Sequence, residues 1–237
     1  MCELCDQPSR RGVFAGIAAG AGLALATRGL AAPADPPPKP ANVISPDAAL
    51  DRLMAGNARF VAGQGDRHNL VHERALTAKG QNPFAAILGC ADSRVSPELA
   101  FDTGLGDLFV CRVAGNFAND DMIASLEYAV AKLNVPLVMV LGHGSCGAVA
   151  ATIESLKTGQ PPPGRLPSLV AEIAPAVKAA QGQEGDLLAH AIRENVRLNV
   201  RRLQTIGPIL GPAVDAGKLR VVGGVYDLAS GRVEQIV

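Results

Sequence analysis

Two short apolar runs, each closed by glycine and each followed at once by side chains that bind metals, limit what this chain can fold into. Residues 84–89 read Phe-Ala-Ala-Ile-Leu-Gly, and residues 135–142 read Val-Pro-Leu-Val-Met-Val-Leu-Gly. Such runs are short for helices and apolar on both faces, the pattern of strands buried between two layers. Stretches with a 3.6-residue apolar period lie between and after them. That alternation describes βαβ units. The expected fold is therefore α/β, a mostly parallel β-sheet flanked by helices. Ligands of such sheets bind beyond the carboxyl ends of the strands. The sequence places Cys90-Ala91-Asp92-Ser93-Arg94 after the first run and His143-Gly144-Ser145-Cys146 after the second.

With 237 residues, 48% of them hydrophobic and 19% charged, the chain has room for one globular domain with a substantial core. Its 22 basic and 22 acidic residues balance, and aromatic content is 3% with no Trp. Neither a basic patch nor a base-stacking platform is evident, so no nucleic-acid partner is expected. Residues 1–34 have the make-up of a targeting segment. Ser9-Arg10-Arg11-Gly12-Val13-Phe14 is a twin-arginine pattern, an Ala/Gly-rich apolar stretch follows, and Ala32-Pro33-Ala34 offers a cleavage site. The stretch is short and glycine-rich for a permanent anchor. Export by the twin-arginine route is predicted, to the periplasm or beyond, with no stable membrane span after cleavage. Residues 35–45 read as a Pro-rich linker, and residues 46–237 as a single domain.

Cys2 and Cys5 precede the twin arginines and would leave with the signal. Cys90, Cys111 and Cys146 remain, an odd number that does not suit a disulfide framework. It fits two metal thiolates and one buried packing thiol, Cys111.

Within the domain, Ser45-Pro46 opens a first helix as N-cap and first helical residue. A short helix is expected at about 74–78, a second strand at 108–113, and a helix from about 121 to 133 behind Asn119-Asp120. Further helices are expected at 147–156, 168–181 and 186–205, with a Pro/Gly loop at 158–167. A strand at 219–226 closes the chain with a hairpin partner inside 232–237.

Zinc takes nitrogen and sulfur ligands in a tetrahedron, and a catalytic site leaves one position open. Cys90, His143 and Cys146 supply three ligands. His143-x-x-Cys146 is a tight chelating turn, and the sheet brings Cys90 beside it. Asp92, two residues from Arg94, can be held by two parallel hydrogen bonds and take a proton near the metal. If Arg94 turned away, Asp92 could occupy the fourth position. Two thiolates and a neutral imidazole leave zinc with no net charge, so activity is expected to rise towards alkaline pH. A dinucleotide site is a rival reading, because Gly142-x-Gly144-x-x-Gly147 follows a strand. It lacks the acidic residue about twenty positions on, where the chain reads Gln160-Pro161-Pro162-Pro163-Gly164.

The sequence resembles a β-class carbonic anhydrase. The likeness rests on Cys90-Ala91-Asp92-Ser93-Arg94, His143-x-x-Cys146-Gly147, Phe109-Val110-Cys111-Arg112-Val113-Ala114-Gly115-Asn116, Glu127-Tyr128-Ala129 and Gly223-Gly224-Val225-Tyr226-Asp227. It implies one Zn²⁺ per subunit held by Cys90, His143 and Cys146, and the interconversion of CO₂ and bicarbonate by zinc-bound hydroxide. Asp92 and Arg94 match the catalytic pair, with Asp92 the fourth metal ligand in the family's inactive form. Gln81, Phe109 and Tyr128 match positions lining the substrate cleft, partly across a dimer interface. The family assembles as homodimers that often pair into homotetramers. Ile87 replaces a Trp found in the bicarbonate-inhibited subgroup, which speaks against that inhibition although Arg112 and Tyr128 are present. Ala114 replaces a larger apolar residue, which widens the expected pocket. Hydrolysis of CS₂ or COS on the same scaffold, or zinc binding without catalysis, would be the alternatives.

Overall fold

A computed structural model describes residues 44–237. The predicted signal and all but the last two residues of the predicted linker lie outside the described residues. The elements run α1 (Pro46–Val61), α2 (Leu70–Thr77), β1 (Ala85–Gly89), α3 (Pro97–Ala100), β2 (Leu108–Arg112), α4 (Asp120–Leu133), β3 (Leu137–His143) and α5 (Gly147–Thr158). They continue with α6 (Leu166–Ala180), α7 (Leu187–Thr205), α8 (Leu210–Asp215), β4 (Arg220–Tyr226) and β5 (Val233–Gln235).

The sheet order is β2-β1-β3-β4-β5. The first three pairings are parallel and β4–β5 is antiparallel, so the predicted mostly parallel sheet is what forms. Every residue of β1 and β3 is buried, as their unbroken apolar runs require. Successive side chains point to opposite faces. Ala86, Leu88, Val138 and Val140 therefore join one core with Leu126 and Ala129 of α4 and Val196 and Val200 of α7. Ala85, Ile87, Met139 and Leu141 join another with Ala49, Leu50 and Leu53 of α1. A third cluster, at the carboxyl end of the sheet, gathers Cys90 and Cys146 with Val149, Ile173, Val177 and Ile192.

Local chemistry sets the helix ends. Ser45 accepts from the Ala48 N–H, and Asn119 from the Met122 N–H. Each oxygen satisfies one of the orphan donors of a first helical turn. Asn134 ends α4 in the left-handed conformation, with φ of 54°. Glycine at 223 lets α7 press on the sheet, since a Cβ there would stand 2.5 Å from Val196 Cγ1.

Some boundaries differ from expectation. The predicted helix at 74–78 starts earlier, at Leu70, where Asn69 caps it through the His72 N–H. The loop expected at 158–167 is shorter because Pro167 is accommodated in the first turn of α6, where a missing N–H costs nothing. Helix α8 was not foreseen: Gly211-Pro212 reads as a turn, and burial of Leu210 and Gly211 overrides that preference.

Candidate metal centre

The turn after β1 and the turn after β3 meet because the two strands are parallel neighbours, with Gly89 opposite Leu141. Cys90 directly follows β1, His143 ends β3, and Cys146 is the N-cap residue of α5. The two sulfurs and a His143 ring nitrogen all lie within 4.8 Å of one another, and all three residues are buried. Getting there takes an unusual backbone. Ser145 sits at φ 53°, a left-handed conformation that non-glycine residues seldom adopt.

His143 is 1% exposed. Its Nδ1 lies 2.8 Å from the Gly144 carbonyl, which makes Nδ1 the protonated nitrogen and leaves the Nε2 lone pair facing the sulfurs. Among the described residues Nε2 is buried and has no hydrogen-bond partner. An orphaned buried acceptor is costly unless something else satisfies it, and a metal ion does. The Gly115 N–H donates to Cys90 Sγ at 3.3 Å, with Gly115 at φ 92°. Cys90 is drawn down to about 4, first by a hydrogen bond from Cys146 and also by the Gly115 N–H. Cys146, which gives that hydrogen bond, is pushed up by it and by burial. A divalent cation replaces such a proton and ionises both sulfurs. The donor set, N and S with two thiolates, fits zinc.

Arg94 holds Asp92 beside this centre. Nε donates to Oδ1 at 2.9 Å and Nη2 to Oδ2 at 2.7 Å, while the Arg94 backbone N–H adds a bond to Oδ1 at 2.9 Å. The guanidinium keeps the Asp92 carboxyl well below the usual carboxylate range. Asp92 Oδ2 is 3.7 Å from His143 Nε2. The carboxylate therefore faces the space the ligands face, while bonded to Arg94. A cavity of about 270 Å³ is lined by Ala114, Gly147, Ala148, Ala151, Leu166 and Leu169 among others, with Gly147 the residue after Cys146 in the chain. Its walls are almost wholly apolar, suited to a small uncharged molecule, and Ala114 contributes to its width.

The fold thus gathers Cys90, Asp92, Arg94, His143 and Cys146 and leaves the three predicted cleft residues apart from them. Phe109 is opposite Ala86, three residues back from the pair of Gly89 and Arg112 that ends the two strands, which is about 10 Å. Its ring lies 6.3 Å from that of Tyr128, which is 50% exposed. Gln81 precedes β1 and is exposed at the end of the sheet opposite Cys90. Two features were missed in the sequence. Arg112 bonds to the loop that carries Cys90 and Asp92. Asn195 and Asn199, buried on α7, bond to Gly115 and Ala118, with Asn195 Nδ2 donating to the Gly115 carbonyl and Asn199 Oδ1 accepting from the Ala118 N–H, both at 2.7 Å. Two asparagines one turn apart on an apolar helix face were the available signal.

The dinucleotide reading fails here. His143 and Cys146 turn inward where a pyrophosphate would lie, and no strand follows α5 before α6.

Residues 85–233 match the carbonic anhydrase family. The chain is 41% identical over 195 residues to a carbonic anhydrase of Mycolicibacterium smegmatis, covering 80% of this chain and 93% of that protein. It is 41% identical over 189 residues to carbonic anhydrase 2 of Mycobacterium tuberculosis, covering 79% and 91% respectively. Among solved structures it superposes on the β-carbonic anhydrase CcaA with a TM-score of 0.60 at 29% identity, covering 78% of this chain and 94% of that one. A Coccomyxa β-carbonic anhydrase in complex with acetazolamide gives a TM-score of 0.61 at 26% identity, covering 80% and 82%. Parallel sheet, Cys–His–Cys centre and sequence agree, and the chain belongs to the β-class carbonic anhydrases, zinc enzymes that hydrate carbon dioxide to bicarbonate.

Proposed function

We propose that Cys90, His143 and Cys146 hold the zinc ion of this carbonic anhydrase, and that Asp92, gripped by Arg94, is the proton acceptor beside it. The carrying observation is the buried His143 Nε2, partnerless among the described residues and aimed at two sulfurs. When bound, zinc would supply Lewis-acid activation of water. The chain's own residues do the rest. Gly144 fixes the ring tautomer of His143, and Gly115 donates to the Cys90 sulfur. Asp92, kept ionised by Arg94, would offer Oδ2 to a water proton on the side where Oδ2 faces His143.

The positions of Gln81, Phe109 and Tyr128 support a homo-oligomer. They lie away from the centre of their own chain, so a second copy would have to bring them to it and close the cleft. A dimer, alone or paired into a tetramer, is the assembly proposed. The arginine pair and small-residue site of residues 1–34 support export by the twin-arginine route to the periplasm or beyond, followed by the linker at 35–45 and the catalytic domain from 46. Among the described residues no helix is long and apolar enough to cross a membrane.

CO₂ hydration by zinc-loaded protein, measured by stopped flow beside Asp92→Ala, tests the site. The expected result is one zinc per chain in both, turnover that rises towards alkaline pH in the wild type, and a loss of about 10²-fold or more in the variant. Wild-type turnover in Asp92→Ala would remove Asp92 from the mechanism.

A further inference from the structure

Helix α7 carries two buried asparagines one turn apart, Asn195 and Asn199, beside the valines that press on the sheet, Val196 and Val200. The helix can come this close because glycine lies beneath it: a Cβ on Gly142 would stand 2.7 Å from Val196 Cγ2. The two side chains form a hydrogen-bonded chain. Asn199 Nδ2 donates to the Asn195 carbonyl at 2.8 Å and to Asn195 Oδ1 at 3.2 Å. Asn195 Nδ2 then donates to the Gly115 carbonyl at 2.7 Å, and Asn199 Oδ1 accepts from the Ala118 N–H at 2.7 Å. Leucine at either position would cover this helix face without burying an amide, so packing alone does not account for the pair.

The segment they grip lies between β2 and α4 and belongs to neither. Gly115 and Asn116 are both left-handed there, at φ 92° and 43°. Residue 115 is also short of space, since a Cβ would stand 2.5 Å from Ile173 Cδ1. Both reasons call for glycine, and glycine is the residue least able to hold a direction by itself. The restraint comes from α7. It matters to the metal centre because the Gly115 N–H donates to Cys90 Sγ at 3.3 Å, so Asn195 acts on that sulfur through one residue. A hydrogen bond to a metal-binding thiolate draws charge off the sulfur and weakens its donation to the metal. In a site with two thiolates, that withdrawal leaves a bound ion a stronger Lewis acid than the same ligands would without it.

We propose that Asn195 is a positioning residue of the metal centre, holding Gly115 so that its N–H stays on the Cys90 sulfur and draws charge away from the metal. The inference rests on the metal assignment given above and deepens it.

Cobalt(II) and an NMR-active cadmium isotope, each loaded in place of zinc, read this bond. Wild-type protein should show a scalar coupling between cadmium and the Gly115 amide proton, carried through the Cys90 sulfur. Cobalt gives thiolate-to-metal charge-transfer bands whose energy falls as the sulfur gains charge. Asn195→Leu and Asn195→Ser should each bind one cobalt per chain at least about tenfold more weakly, the scale of groups that support metal ligands. Their charge-transfer bands should lie at longer wavelength than in the wild type, and the Gly115–cadmium coupling should be weakened or lost. Asn57→Leu removes another buried asparagine, one bonded to Ala100, Gly231 and Val233. It should lose stability yet keep the wild-type bands and coupling. Wild-type bands and coupling in a folded Asn195 variant would overturn the inference, as would cadmium-loaded wild-type protein with no coupling to Gly115. An equal band shift in Asn57→Leu, or failure of both Asn195 variants to fold by circular dichroism, would also overturn it, because Asn195 would then serve the fold as a whole. Wild-type protein that takes up neither metal would instead overturn the metal assignment, and the inference with it.

Discussion

Arg94 and Asp92 form a two-pronged pair, Nε to Oδ1 at 2.9 Å and Nη2 to Oδ2 at 2.7 Å, at the rim of a buried Cys–His–Cys cluster. The geometry depends on a planar donor. Arg94→Lys keeps the charge but offers a single point donor. It should lower kcat about tenfold or more while zinc content stays at one per chain, the size expected for a group that orients a carboxylate at a metal. Stopped-flow CO₂ hydration with metal analysis checks this, and an unchanged kcat would show that the second prong is dispensable.

Metal removal tests the cluster as part of the fold. A ligand that binds only the native state adds to stability in proportion to the logarithm of its concentration. The melting temperature of wild-type protein should therefore rise with free zinc and fall with a chelator. Cys146→Ser, which removes a buried thiolate ligand, should show neither response and should purify with substoichiometric zinc. A zinc-dependent melting temperature equal to wild type in that variant would exclude Cys146 as a ligand.

Cys111 gives a pH dependence that is independent of the metal. Burial, 6% exposure on β2, pushes its thiol from the ordinary 9.0 up to about 11. The raised value means that the folded state holds the proton more tightly. The associated stability is complete below about 9 and is lost as pH climbs through about 11. Denaturant midpoints of wild-type protein should fall across that window, and those of Cys111→Val should fall less. Parallel curves for the two proteins would refute the assignment.

Asn57 ties together parts of the chain far apart in sequence. Nδ2 donates to the carbonyls of Ala100 and Gly231, and Oδ1 accepts from the Val233 N–H, all at 2.8 Å and all buried. Asn57→Leu leaves two carbonyls and one N–H unpaired. We expect a loss of about 3 kcal/mol in urea unfolding. A loss below about 1 kcal/mol would mean that water replaces the bonds.

Much of this was legible because the sequence states it locally. The unbroken apolar runs of β1 and β3 can only be buried on both faces, so the parallel sheet and the position of its carboxyl ends follow. Cys90 and His143 could be named because each directly follows or ends such a run, and Cys146 because it stands three residues after His143 in a tight turn. Helix α8 was illegible because Gly211-Pro212 favours a turn and only the packing of Leu210 overrides it. The reach of Arg112 was equally hidden: it spans neighbouring strands, and nothing in Phe109-Val110-Cys111-Arg112 says which carbonyls lie within range.

The sequence by itself determined the strand pattern, the helix caps and the chemistry available at two turns, since these depend on residues within a few positions of one another. The tertiary structure decided which nitrogen of His143 faces the sulfurs and that Asp92 answers to Arg94 at 2.7 Å while standing 3.7 Å from His143. It also decided that Gln81, Phe109 and Tyr128 lie away from the centre of their own chain. Those outcomes are set by register between strands and by competition among hydrogen-bond partners brought together only when the sheet closes.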